Sequence, residues 1–364
     1  MKYIDEFRDN KIARSISKAI FKEAMGLPHI NLMEVCGTHT MSIGRFGIKD
    51  MLPENISLIS GPGCPVCVTP KAYIDKAVAL SRLHGTIVVT FGDMMKVPGS
   101  YSSLEKERSK GGLVNLVYSA LDAVDIAEKN SDKKIIFLGI GFETTSPTVA
   151  TSVIYAKKKR LKNFFIYAGH KLIIPAMKAL VEDIEVNIHG FLCPAHVSTI
   201  IGTMPYNLIA KRYGRPCVIA GFEPLDILQG ILMLIEQIRS KKSKVGNQYK
   251  RVVKKYGNKK ALELIKEVFS PKDSEWRGIG ILPQSGLALN KRYNMFDAEA
   301  SFRLPGIKTR PDTGCICGSV LKGIKTPVDC KLFSKRCTPQ TPVGSCMVSS
   351  EGTCAAYYKY RMKT

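Results

Sequence analysis

The residues of this chain that could do chemistry are above all its thiols. Of 11 cysteines, six fall close together: Cys315, Cys317, Cys330, Cys337, Cys346 and Cys354. Thiolate is a soft ligand, and six in so short a stretch point to metal. Structural zinc favours cysteine pairs with two to four residues between them, and those pairs are missing here. Four widely spaced thiolates suit a cubane iron–sulfur cluster better, with structural zinc and free thiols as the competing readings. A cluster takes four ligands, so two cysteines remain. In Cys315-Ile-Cys317 one thiol could bind iron while the other holds a nearby disulfide.

A second group lies near the start. Cys36 and His39, in Met33-Glu-Val-Cys-Gly-Thr-His-Thr40, could share one metal, or the imidazole could lower the thiol's pKa. A core cysteine beside a hydrogen-bonded histidine explains the same spacing. Cys64-Pro-Val-Cys67 sits between a strand and a helix N-terminus, where the helix dipole favours thiolate and hence redox chemistry. A zinc site of Cys36, His39, Cys64 and Cys67 competes with that reading. Cys193-Pro-Ala-His196 repeats the Cys-x-x-His spacing, and here a histidine lining a cleft is the simpler account. Glu143 and Glu223, each behind Gly-Phe, are candidates for supporting contacts or acid–base work, with capping of the following helix as the plain alternative. Asp93 and Lys96 lie in Phe91-Gly-Asp-Met-Met-Lys-Val-Pro-Gly99. Gly139-x-Gly141 lacks the third glycine of a dinucleotide fingerprint, and no P-loop is present.

The elements that must position these groups read as α/β. Strands at 56–60, 134–138 and 216–220 each run into a glycine-containing loop and then a helix, the last helix spanning about 225–239. Residues 86–90, 164–168 and 190–193 look like further buried parallel strands. The chemistry-bearing segments all follow predicted strands, which is where open α/β sheets gather ligands, so one shared cleft is expected. Gly-Phe-Glu recurs at 141 and 221, which hints at two lobes of similar design. From about Ser285 glycine, proline and cysteine become dense and apolar periodicity fades; a region that poor in core needs a staple such as a metal cluster. The expected division is 1–140 and 141–284 as two α/β lobes, with 285–364 as a cluster domain.

With 364 residues, 45% hydrophobic and 23% charged, the chain is long enough for two or three domains and is not disordered. No apolar run reaches the ~20 residues of a membrane span. Residues 1–20 are charged and lack the apolar stretch of a signal peptide. A cytoplasmic protein is expected, and a reducing compartment favours metal or redox roles for clustered thiols. The net charge is +23, with basic runs at Lys157-Lys158-Lys159-Arg160 and between Arg239 and Lys255. Solvated helix faces are the plain reading and an acidic protein partner the next. Nucleic acid is disfavoured because few aromatic residues interleave these runs.

Taken together, Cys36-Gly-Thr-His-Thr40, Gly61-Pro-Gly-Cys-Pro-Val-Cys67, Phe91 to Gly99, Gly141-Phe-Glu-Thr-Thr145, Cys193-Pro-Ala-His196 and Gly221-Phe-Glu-Pro-Leu-Asp226 resemble the HypD family of nickel–iron hydrogenase maturation factors. The tail, from Cys317 through Pro342-x-Gly-x-Cys-Met-Val-Ser-x-Glu-Gly-x-Cys354, is similar too. The resemblance covers nearly the whole chain. It implies two Rossmann-like lobes with parallel sheets flanking a cleft, plus a small 4Fe-4S domain like that of ferredoxin–thioredoxin reductase. It also implies a scaffold for the Fe(CN)2CO group, with a HypC-type chaperone alongside and a HypE-type cyanide donor. By that likeness Cys36 holds the ferrous ion beside His39, and Cys64 and Cys67 are a redox-capable pair able to join it on iron. Cys315, Cys330, Cys337 and Cys354 are the implied cluster ligands, and Cys317 and Cys346 the implied disulfide. Whether such a scaffold is itself an enzyme is left open, and a cluster-dependent protein disulfide reductase is the rival function.

Overall fold

The computed structural model describes residues 5–304, 306–310 and 314–360. Along the chain come β1 (Ile30–Glu34), β2 (Ile56–Ser60), β3 (Thr86–Thr90), β4 (Val114–Leu116), β5 (Lys134–Gly139) and β6 (Phe164–Ala168). They are followed by β7 (Gly190–Pro194), β8 (Cys217–Ala220), β9 (Val245–Asn247), β10 (Phe269–Trp276) and β11 (Gly280–Leu289). Two sheets are wholly parallel, one in the order β2-β1-β7-β8-β9 and one in the order β4-β3-β5-β6. β3, β6 and β7 are buried at every position, as expected of strands covered by helices on both faces. That is why they read as unbroken apolar runs.

The parallel α/β architecture is as expected, but a boundary at residue 140 does not separate the sheets. The five-stranded sheet takes strands from 30–60 and again from 190–247, and the four-stranded sheet spans 86–168. A boundary at 284/285 fares no better, because it cuts β11. That strand pairs antiparallel with β10, and its Leu287 and Leu289 join the core of the four-stranded sheet. Local pattern does not reveal such interleaving, since parallel pairing is set by contacts far apart in sequence.

Beyond residue 314 the described chain holds only short helices, including Cys317–Leu321, Ser345–Val348 and Thr353–Tyr360. Among the described residues no helix is long and apolar enough to cross a membrane.

The strand order reverses between β1 and β7 in one sheet and between β3 and β5 in the other. Such switch points open a crevice beyond the strands' carboxyl ends. The first lies between the segments bearing Cys36 and His196. The second lies between those bearing Asp93 and Glu143.

Candidate metal and thiol site

β1 ends on a buried acid. The Glu34 carboxyl accepts the Cys36 N–H at 3.1 Å and the Thr40 hydroxyl, bracing the turn into the helix Gly37–Arg45, whose N-cap is Cys36. Burial raises Glu34 to about 8. The same burial, reinforced by Glu351 and Glu34, pushes the Cys36 thiol up to about 12, so a metal binding there must displace a proton. His39 is wholly buried and held neutral, lowered by burial to about 4. Its Nε2 faces the carbonyls of Ala220 and Gly221 at 3.2 and 3.0 Å. Nε2 therefore carries the proton, and Nδ1 is left as a buried acceptor without a hydrogen-bond partner.

The next loop is pressed against this one. The Gly37 N–H donates to Gly63 O at 3.2 Å, and a side chain at Gly63 would overlap the backbone of Val35 and Cys36. Cys64 and Cys67 are joined as a disulfide around the single-turn helix Pro65–Val68. In this form neither sulfur is available to iron, and the four-ligand zinc site is not assembled. Among the described residues no three Cys, His, Asp or Glu side chains are grouped to hold a single metal ion.

Phe222 lies between two imidazoles and is tilted to both, with ring centroids 5.0 Å from the buried His39 and 4.2 Å from His196, which is exposed. Partial desolvation still lowers His196. The two Gly-Phe-Glu segments serve different ends. Glu223 takes a two-pronged ion pair from Arg8, at 2.5 and 2.9 Å, and does not cap its helix. Glu143 caps a helix, but not the one that follows it: its Oε1 accepts the N–H of Ile173, at the start of Ile173–Glu182. Burial raises Glu143 to about 7, and Oε2 has no partner.

A carboxyl raised in the folded chain favours folding fully below its ordinary pKa. It loses that contribution as pH climbs to the folded value, here between about 4.5 and 7. Glu143→Gln should abolish this component. Its urea-unfolding free energy relative to the parent should improve by up to about 3 kcal/mol between pH 4.5 and pH 8. A flat difference over that range would show that Glu143 ionises normally.

The tail closes over the strand ends. Ser345 Oγ donates to Cys67 O at 2.9 Å, Ser349 Oγ to Asp93 Oδ2 at 2.8 Å, and Thr38 Oγ1 to Glu351 Oε1 at 2.6 Å. The expected cleft is therefore covered, and Cys36 is only 6% exposed. All six tail cysteines line one cavity, whose other walls, among the described residues, are apolar or glycine: Ile316, Val320, Leu332, Phe333, Gly344 and Met347. Within it the sulfurs of Cys317 and Cys346 are 3.1 Å apart, both buried. Hydrogen bonding to Cys315 and Cys346 pulls Cys317 well below the ordinary thiol value, with the Arg277 guanidinium adding to the effect. The same contact raises Cys315 and Cys346.

Arg277 belongs to the turn of the β10–β11 hairpin, which links the two thiol groups. Its N–H donates to Val68 O and its Nε to Thr69 O, both at 2.8 Å. The neighbouring Gly278, with φ +71°, packs on the Cα of Gly318. Glu34, Arg277, Ser345, Ser349 and Glu351 also belong to the site, and their residue types and spacing do not single them out. One signal was available for Glu34, an acid closing the apolar run Ile30-Asn-Leu-Met directly before Val35-Cys36. Single serines in a polar tail carry none.

A family model described as "HypD: Hydrogenase formation hypA family" matches residues 11–361. The chain is 49% identical to hydrogenase maturation factor HypD2 of Bradyrhizobium diazoefficiens, over 99% of this chain and 97% of that protein. It is 45% identical to hydrogenase maturation factor HypD of Cupriavidus necator, over 99% and 97% of the two chains. With HypD of Escherichia coli the identity is 44%, over 100% and 99%.

Proposed function

Since the chain belongs to the HypD family, we propose that it acts in hydrogenase maturation, as the scaffold on which the Fe(CN)2CO group of a nickel–iron hydrogenase is assembled. One observation carries this reading: a cavity lined by six thiols lies directly behind the loops of Cys36 and the Cys64–Cys67 pair. The iron is cargo. Cys36, with a thiol of a HypC-type chaperone, anchors it, and the neutral His39 offers the Nδ1 lone pair beside it. Soft thiolates and a site shut away from water suit a ferrous ion carrying cyanide and carbonyl. A HypE-type protein supplies the cyanide.

The donor set of the tail fits a 4Fe-4S cluster. A cubane takes one thiolate at each iron, so its ligands stand further apart than those of a single ion, and dry apolar walls protect it. Cys315, Cys330, Cys337 and Cys354 would hold it, in a domain resembling ferredoxin–thioredoxin reductase. When bound, such a cluster supplies electrons singly. The adjacent Cys317 and Cys346 would cycle between dithiol and disulfide, taking up two electrons and two protons per disulfide opened. The Cys64–Cys67 disulfide would be opened likewise, freeing both thiols to act on the iron.

The test is infrared spectroscopy of the chain produced anaerobically with its small chaperone. The parent complex should show bound cyanide and carbonyl bands, and Cys36→Ala should lose them. Bands that persist in Cys36→Ala would remove Cys36 from the iron. The Cys64–Cys67 disulfide also supports the rival reading, a cluster-dependent protein disulfide reductase; reduction of a protein disulfide substrate to the dithiol, without the chaperone and without those bands, would favour it.

A further inference from the structure

We propose that the crevice between residues 96–106 and residues 336–343 is the docking surface for a small acidic electron-transfer protein that feeds the sulfur-lined cavity behind it. The proposal rests on the functional reading above and adds the partner class and its landing site.

The crevice has a volume of about 560 Å³, with Lys96, Lys106 and Arg336 exposed on its lips and Glu105 as the one acidic residue lining it among the described residues. Its lip is held in place rather than loose. The Ser100 N–H and hydroxyl both donate to the buried Asp75, at 2.6 and 2.7 Å, and Ser100 Oγ accepts the Arg310 N–H at 2.8 Å. Tyr101 is 56% exposed there, with the Arg310 guanidinium 4.4 Å over its ring. A presented tyrosine with arginine beside it is the composition of interface anchors. The surplus of positive charge, on a chain of net charge +23, selects an acidic partner and steers its approach.

What makes that partner an electron carrier is what lies behind the wall. Thr341, Pro342 and Val343 line the crevice, while the Val343 N–H donates to Cys337 Sγ at 3.4 Å and Gly344 already lines the thiol cavity. A protein seated in the crevice is one loop's thickness from the sulfurs. In each encounter the partner's reduced centre would give up one electron to the cluster that these cysteines would hold, with no bond formed or broken. Among the described residues the crevice offers one exposed aromatic ring, not the series of rings on which nucleic-acid bases stack.

The test uses the full chain, purified anaerobically with its iron, and a soluble, strongly acidic [2Fe–2S] ferredoxin as probe. Two quantities are read: anisotropy binding of the labelled oxidised ferredoxin, and the stopped-flow rate at which the reduced ferredoxin bleaches the chain's visible absorption. K96E/K106E/R336E should weaken binding and slow electron transfer about tenfold or more at low salt, with the difference shrinking as salt is raised. Reduction by dithionite should be unchanged, which shows that the variant is folded and loaded. K254E/K255E/K259E makes the same charge change at another basic crevice and should match the parent. An iron-loaded crevice variant that binds and accepts electrons like the parent would overturn the docking surface alone. A parent chain that binds no iron would overturn the functional reading and this proposal with it. Loss of RNA-oligonucleotide binding in the crevice variant, with electron uptake unaltered, would assign the surface to nucleic acid and refute the proposal.

Discussion

Gly63→Ala should cost about 3 kcal/mol or more of stability and empty the Cys36 site of cargo. The added methyl would lie inside the van der Waals envelopes of Val35 C and Cys36 N. Both are backbone atoms, so no side chain can rotate away, and relief requires moving the Cys36 loop off β2's following turn. Overpacking that forces backbone shifts costs typically 1–3 kcal/mol, and a backbone-on-backbone clash lies at the top of that range or beyond. Urea denaturation, run beside Cys36→Ala, separates the two effects. Cys36→Ala should lose the cargo with little loss of stability, whereas Gly63→Ala should lose both. Parent-like stability and infrared bands in Gly63→Ala would mean that the two loops do not touch as described.

The second large effect concerns how the tail thiols divide. Cys337→Ser, prepared without air, should lose most of the roughly four irons expected of a cubane, together with the brown colour. Cys346→Ser should keep them and lose only the ability to form the Cys317–Cys346 disulfide. The basis for the contrast is that Cys317 and Cys346 face each other at 3.1 Å while all six thiols share one cavity. Equal iron in the two variants, or the reverse order, would reassign the ligands. Iron content by plasma emission and thiol counting after reduction by dithionite give the answer.

The parts of this fold that were legible from sequence are those where burial leaves an unbroken apolar signature. β3, β6 and β7 are buried along their whole length and were visible as runs between glycine and proline. β1 was missed. It carries Asn31 and ends on Glu34, a buried acid whose partners, Cys36 N–H and Thr40, come later in the chain. The interleaving of the two sheets was not legible either, because nothing local to Gly190–Pro194 says that it will lie beside Ile30–Glu34. The β10–β11 hairpin has exposed polar positions in both strands and blends into the glycine- and proline-rich texture that follows.

At the site, cysteine types and spacings pointed to the thiol groups, and the folded chain does bring the tail onto the Cys36 and Cys64–Cys67 loops. The joinery that does so could not be read beforehand. It consists of single side chains, Ser345 on Cys67, Ser349 on Asp93 and Glu351 on Thr38, none of which belongs to a periodic pattern. Glu143 and Glu223 show the opposite limit. The same tripeptide precedes a helix twice, yet one carboxyl caps a different helix and the other binds Arg8. A shared motif fixes neither partner.

Whether these sulfurs bind iron is the central question. Quantifying iron, zinc and acid-labile sulfide in the full chain purified under strict exclusion of air decides it. About four irons and four sulfides per chain, with broad visible absorption that dithionite bleaches, is the predicted result. A colourless chain carrying stoichiometric zinc, or no metal at all after reconstitution with iron and sulfide, would contradict it.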